Sequence, residues 1–279
     1  MKHAIRLLAV DIDGTLLDPH FQISAANLAA LRRAHDAGVE VILVTGRRHA
    51  FALPIAEQLG FEVWLISSNG AVTKSSRGQA FHRDLLPVGT ARRLVEQMSG
   101  FRGNLVITFD KEEKGALVLE RMDELTQSIR RWLEKNEQFL EFVVPVERAL
   151  VGDPIQVMFC GTVARMREAL DALGESEVAR DITVLRTQYD HRDLCIVDVL
   201  NRGCSKGHAL ERWATYRGYQ RAQVMAIGDN YNDLEMLAFA GLPVLMGNAS
   251  GELKQNGWRV TLPNDQSGVA AAIEQLIAL

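Results

Sequence analysis

The chain has 279 residues, 47% hydrophobic and 24% charged, an ordinary globular composition whose length admits one large domain or two unequal ones. With 31 basic residues against 35 acidic, the net charge of -4 leaves no electrostatic footprint for nucleic acid. Three cysteines, Cys160, Cys195 and Cys204, lack the paired spacing of a zinc site or disulfide framework and read as small buried hydrophobes.

The first apolar run, 5–10, is broken only by Arg6 and reads as a strand buried on both faces. Asp11 and Asp13 cut it short of signal-peptide length. No later stretch approaches the roughly 20 apolar residues of a membrane span, so no membrane partner and a reducing cytoplasm are expected. Ser24 can cap a helix carrying Leu28, Leu31 and Ala34 at helical spacing, with Gly38 as its stop. A second buried run at 39–44, a helix at 50–59 and a third run at 63–66 complete a β-α-β-α-β order, which implies right-handed crossovers and a parallel sheet.

The pattern then changes. Residues 71–81 read as a hairpin around Lys74-Ser75-Ser76-Arg77-Gly78. Helices are predicted at 87–98, 122–136 and 162–173, and strands at 104–109, 116–120, 155–160 and 182–186. Adjacent strands without intervening helices suggest a partly antiparallel α+β unit. From about Leu194 the β-α alternation returns, with strands at 195–199, 224–227 and 242–246 and helices at 205–216 and 267–277. The expected architecture is a Rossmann-like α/β core with helices on both faces, formed by 1–83 and 193–279, with 84–192 inserted as a second domain.

Four polar clusters fall at the carboxyl ends of core strands or at the start of the following helix, the rim where open α/β sheets bind ligands. Asp11 and Asp13 at a strand end can put two carboxylates on one side, one as nucleophile and one as proton shuttle; the alternative is a solvated acidic turn. A calcium loop needs glycine at its sixth position, where Leu16 stands. Thr45-Gly46-Arg47 offers a hydroxyl and backbone N–H groups to a phosphate at a helix start, or simply a cap. Lys206 opens another helix. The run Gly228-Asp229-Asn230-Tyr231-Asn232-Asp233 supplies the hard oxygen ligands that suit Mg²⁺, or caps a helix running through Met236. Four such features in order on one rim point to a single catalytic site. Trp132, Leu133 and Phe139 read as core of the inserted domain, Arg130-Arg131 as a solvated helix face, and Tyr189-Asp190-His191-Arg192 as a surface loop.

Asp11-Ile12-Asp13-Gly14-Thr15-Leu16-Leu17, Thr45-Gly46-Arg47, Lys206-Gly207 and Gly228 to Asp233 resemble the four motifs of the haloacid dehalogenase superfamily. Ser68-Asn69-Gly70-Ala71 and Met246-Gly247-Asn248-Ala249 resemble its Cof-like branch, which carries a large α/β cap between the second and third motifs. The resemblance implies a Mg²⁺-dependent phosphatase acting on a small phosphorylated metabolite, such as a sugar phosphate or phosphorylated cofactor. Asp11 would form an aspartyl-phosphate, and Asp13 would protonate the leaving oxygen and then activate water. Asp11, the Asp13 carbonyl and Asp229 would hold Mg²⁺ with Asp233 in support. Thr45, the backbone of Gly46 and Arg47, Lys206 and Asn232 would hold phosphoryl oxygens. Arg48, Asp198 and Cys204 depart from the residues common in relatives. A phosphomutase sharing the site, and a non-catalytic phosphate sensor, are the alternatives; no G-x-x-x-x-G-K-[ST] loop supports an ATP-dependent kinase.

Overall fold

The computed structural model describes residues 4–277, which divide into two compact units. The first comprises the chain up to Arg83 and from Ser205 onward. Its opening strands are β1 (Leu7–Asp11), β2 (Glu40–Val44) and β3 (Trp64–Ser67), separated by α1 (Ala25–Asp36) and α2 (His49–Glu57). Ser24 caps α1, its hydroxyl accepting from the Asn27 amide at 3.1 Å. The hairpin is β4 (Val72–Ser75) with β5 (Ala80–Arg83).

The second unit spans Asp84–Cys204. It contains α3 (Val88–Gln97), β6 (Leu105–Thr108), β7 (Leu117–Leu119), α4 (Gln127–Lys135), β8 (Leu140–Phe142), β9 (Gln156–Gly161), α5 (Val163–Glu175), β10 (Ile182–Tyr189) and β11 (Leu194–Asn201). The first unit then resumes with α6 (Lys206–Arg217), β12 (Val224–Gly228), α7 (Leu234–Phe239), β13 (Leu242–Leu245), α8 (Gly251–Lys254), β14 (Arg259–Val260) and α9 (Gly268–Leu276).

The first unit's sheet runs β14-β13-β12-β1-β2-β3-β4-β5, parallel from β14 to β3 and antiparallel in the hairpin. Strand β1 is central and buried at every position, as its unbroken apolar run requires. Leu8, Val10, Leu43 and Leu65 pack with residues of α1, α2 and α9 on one face, while Leu7, Ala9, Ile42 and Ile66 pack with α6 and α7 on the other. The chain builds outward from β1 to β2 and β3, then returns on the opposite side with β12 and β13. The order therefore reverses at β1, and a crevice at the carboxyl ends of β1, β2 and β12 follows.

In the second unit the sheet runs β10-β11-β9-β6-β7-β8, antiparallel except for the parallel β7–β8 pair. Phe159, Val157, Val197 and Leu105 pack on one face with α3 and α5. Leu133 is fully buried and Trp132 only partly.

Here one expectation is overturned. The run 195–199 belongs to the second unit's sheet, because β11 pairs antiparallel with both β9 and β10. The first unit therefore resumes at Ser205 and not at residue 193. The reason is physical: a strand covered on both faces reads as the same apolar run whichever sheet it joins. The helix expected at 122–136 begins at Gln127, after Thr126 in extended conformation. Strands β8 and β14, three and two residues long, escaped the sequence pattern because neither is long enough to show alternation. The segment Tyr189–Arg192 ends β10 and turns toward β11, with Asp193 left-handed at φ 44°; the His191 side chain lies outside the described residues.

Candidate active site

Asp11 is the last residue of β1 and is buried. The chain then turns sharply, Leu16 N–H returning to the Asp11 carbonyl at 3.2 Å. Gly14 permits this turn: its φ is +82°, and a Cβ there would collide with the Asp229 carboxylate. Thr15, buried beneath, donates its hydroxyl to Asp229 Oδ1 at 3.0 Å.

Asp229 and Asp233 come from the loop after β12. The Asp233 side chain folds back so that Oδ2 accepts the Asp229 and Asn230 amides, each at 3.0 Å. That return needs Gly228, where a Cβ would lie 2.7 Å from Asp233 Oδ2. Thus the sequence Gly-Asp-x-x-x-Asp makes a self-capped turn that presents one carboxylate, Asp229, and holds the other inward.

Lys206 joins these loops. It is the first residue of α6, its side chain is 1% exposed, and Nζ lies 2.6 Å from Asp11 Oδ1 and 2.7 Å from Asp233 Oδ1. Carboxylate oxygens of Asp11, Asp229 and Asp233 all lie within 4.8 Å of one another. Burial and the Asp233 charge push the Asp11 pKa from 3.8 up to about 7, against the opposing pull of Lys206. Burial, then the charges of Asp11 and Asp233, raise Asp229 well above the ordinary carboxylate range. For Lys206, burial works downward, but the two carboxylates outweigh it and hold the ammonium charged. Three carboxyl groups share one ammonium, so the cluster resists full ionisation until further positive charge arrives. The all-oxygen donor set suits a hard divalent cation.

Asp13 lies elsewhere on the same rim. Its two oxygens accept from Arg47, Nε to Oδ2 at 2.7 Å and one terminal nitrogen to Oδ1 at 2.6 Å. Thr45 is buried just beyond β2, its Oγ1 accepting the Arg47 amide at 3.0 Å. Helix α2 begins only at His49, with Arg48 at its N-cap and no side-chain cap bond. Thr45-Gly46-Arg47 is thus the loop leading into the helix expected at 50–59, and the Thr45 hydroxyl is used inside that loop, not as the helix cap. The Arg48 guanidinium lies over the Phe51 ring, 5.1 Å from its centroid.

Asn232 Nδ2 donates to Asn69 Oδ1 at 2.9 Å, and the Asn69 amide lies close against Gly46. The segment Ser68-Asn69-Gly70 carries three positive φ values in succession, 49°, 53° and 109°. A Cβ at Gly70 would strike the Ser205 carbonyl, so this turn sits directly on the start of α6. Asn248 donates from Nδ2 to the Gly14 carbonyl at 2.8 Å and reaches Asp229 Oδ2 at 3.4 Å. Asn264 fixes Asn248 through its backbone N–H at 3.0 Å and donates its own amide to the Leu17 carbonyl at 2.8 Å.

The structure thus gathers all the site residues expected from sequence at one rim: Asp11 ends β1, Lys206 begins α6, and Asp13, Thr45, Gly46, Arg47, Asp229, Asn232 and Asp233 lie in the connecting segments. It adds Thr15, Asn69, Asn248 and Asn264 as residues that tie those loops together. Asn69 and Asn248 had a signal, since each follows a core strand, β3 or β13, on that rim; Asn264 had none. Asp198, on β11, accepts from Gln156 Nε2 at 2.7 Å inside the second unit, and Cys204 is buried and reduced. No helix among the described residues is long and apolar enough to cross a membrane.

A model of the haloacid dehalogenase-like hydrolases matches residues 8–273 of this chain. The phosphatase YwpJ of Bacillus subtilis is 30% identical over 98% of this chain and 100% of its own. The pyridoxal phosphate phosphatase YbhA of Escherichia coli is 28% identical over 96% and 97% of the two chains. Among solved structures, a haloacid dehalogenase-like hydrolase from Bacillus subtilis superposes with a TM-score of 0.80 at 26% identity, covering 98% of this chain and 100% of that one.

Proposed function

The chain belongs to the haloacid dehalogenase-like hydrolases and is a phosphatase, and from that premise we propose that it hydrolyses small phosphomonoesters through an aspartyl-phosphate formed on Asp11. The observation that carries this reading is the buried Lys206 ammonium clamped between Asp11 and Asp233 with Asp229 beside them. Such a cluster has more carboxyl groups than its one ammonium can balance, and a carboxylate nucleophile cannot approach an anionic phosphate without further positive charge.

The all-oxygen donor set fits Mg²⁺, which Asp11, Asp229 and the Asp13 carbonyl would hold. Asp233 supports them from behind, since its oxygens already serve Lys206 and two backbone amides. When bound, the ion supplies charge neutralisation at the phosphoryl oxygens. The chain's own groups do the rest. Lys206 holds Asp11 Oδ1 and so fixes the carboxylate for attack through its other oxygen. As the Asp11–phosphorus bond forms, the ester P–O bond breaks, and Asp13 gives its proton to the departing oxygen. Water then attacks phosphorus, Asp13 takes its proton, and the Asp11–phosphorus bond breaks to release inorganic phosphate. Thr45, the Gly46 amide, Lys206 and Asn232 would hold the non-bridging oxygens; the Arg47 amide, expected among them, is instead bonded to Thr45 Oγ1.

The relatives' names include a pyridoxal phosphate phosphatase, which supports a small phosphorylated metabolite as the substrate class here. We assign substrate selection to the inserted unit, because every matched motif lies outside it. The test has two parts. A screen of phosphorylated metabolites with Mg²⁺ should give inorganic phosphate, and acid quenching during turnover should leave a phosphoryl group on the peptide containing Asp11. Phosphate release without that label would exclude the covalent route, and transfer back to substrate in place of release would make the protein a phosphomutase.

A further inference from the structure

We propose that Arg47 is a positioning residue for Asp13: its guanidinium holds the Asp13 carboxylate in place, so that Arg47 matters to the reaction in proportion to the leaving group's need for a proton. This rests on the reading of Asp13 as the proton donor to the leaving oxygen.

The Asp13 side chain is 29% exposed and follows a strand end in a tight loop, where a short carboxylate left to itself would sample several rotamers. Arg47 engages both of its oxygens at once, at 2.7 and 2.6 Å. Among the described residues no other group is bonded to that carboxylate. A planar guanidinium fork fixes the position and the plane of a carboxylate together, which a point charge cannot do.

The base of the fork is itself anchored. The Arg47 amide donates to Thr45 Oγ1 at 3.0 Å, and the Arg47 carbonyl accepts the Ser68 amide at 2.7 Å. Thr45 is in turn tied to β3 through its own amide, which donates to the Ile66 carbonyl at 2.8 Å. A chain of short bonds thus runs from the sheet through Arg47 to Asp13, and none of it involves the Asp11, Asp229 and Asp233 cluster. The two ends of the reaction are held separately: Lys206 fixes the nucleophile, and Arg47 fixes the group facing the leaving oxygen.

General acid catalysis is commonly worth about 10² to 10⁴ in rate, and alignment of the donor decides how much of that is realised. A phosphomonoester with an acidic leaving group, such as 4-nitrophenyl phosphate, departs with little help. An alkyl phosphate needs the proton. The parameter to measure is kcat/KM, because it reports the steps through departure of the leaving group and is insensitive to later hydrolysis of the aspartyl-phosphate.

The experiment compares wild type, Arg47→Lys, Arg47→Gln and Asp13→Asn on a series of Mg²⁺-supported aryl and alkyl phosphates, with inorganic phosphate inhibition measured for each. Both Arg47 variants should lose about 10- to 100-fold in kcat/KM on the alkyl esters and less than about 3-fold on 4-nitrophenyl phosphate, with inhibition by phosphate unchanged. Arg47→Gln combined with Asp13→Asn should be no worse than Asp13→Asn alone, since the arginine acts through the aspartate. An equal loss on all esters with weakened phosphate inhibition would make Arg47 a phosphate ligand and overturn the proposal, as would additive effects in the double variant. If Asp13→Asn itself shows no dependence on the leaving group, it is the assignment of the acid that has failed. A steep dependence for Asp13→Asn and a flat one for Arg47 refutes the positioning role alone.

Discussion

Replacing Lys206 with methionine keeps the volume and unbranched shape of the side chain and removes only its charge and donors. The side chain is 1% exposed, and its nitrogen is bonded to Asp11 and Asp233 at 2.6 and 2.7 Å. Removing one partner of a buried ion pair costs about 3–5 kcal/mol, because the groups left behind remain buried without compensation. For a protein of this size each kcal/mol moves the melting temperature by roughly 2–4 °C, so Lys206→Met should melt about 6–20 °C below wild type in chelator. Adding Mg²⁺ should recover part of the loss by supplying charge to the same carboxylates. Adding Asp11→Asn should also recover part, because it removes one of the two stranded anions. Turnover should fall by about 10² to 10³, the loss typical of one fixed donor to a developing anion. Melting followed by near-ultraviolet circular dichroism, with and without Mg²⁺, measures the stability terms, and phosphate release measures the chemistry. A melting temperature within about 2 °C of wild type in chelator would refute the argument, since the buried cluster would then not depend on the ammonium.

Asp11→Asn should keep the fold and lower turnover by on the order of 10⁴ or more, the scale seen when a covalent nucleophile is removed; substantial phosphate release by the folded variant would rule out Asp11 as nucleophile. After exhaustive chelation, Mg²⁺ should restore activity and Ca²⁺ should restore little, because its larger and more flexible coordination misplaces the nucleophile; full activity in chelator would eliminate the metal. Asp11 is raised from 3.8 to about 7, so the metal-free native state binds this proton more tightly than the unfolded chain. That contribution to stability is complete below the unfolded value and is lost as pH rises through about 7. The melting temperature in chelator should therefore drop between pH 6 and pH 8, and the gain from Mg²⁺ should be larger at pH 8. A gain independent of pH would contradict the assigned cause. Exchanging residues 84–204 for the corresponding segment of YwpJ should change the ranking of metabolites by kcat/KM while 4-nitrophenyl phosphate hydrolysis is largely kept; an unchanged ranking would move substrate selection to the core loops.

The sequence by itself determined the parallel-sheet core and the loops that carry the site. Continuous apolar runs mark strands buried on both faces, helical spacing marks the segments between them, and polar clusters at the strand ends mark the rim. These are local signals, readable over a few residues, and they were enough to single out Asp11, Thr45, Lys206 and Asp229. Only the tertiary structure decided which sheet β11 joins, because an apolar run is the same whether its neighbours are parallel or antiparallel. It also decided the pairings: Arg47 with Asp13 across 34 positions, Asn232 with Asn69 across 163, and Asn248 with Gly14 across 234. The Asp233 carboxylate, one of four acidic or amide groups within five positions, turned out to cap its own loop and grip Lys206. Which oxygen faces a cation and which satisfies a buried amide depends on where β1, β12 and α6 come together, and that convergence is a property of the packed chain rather than of any stretch of it.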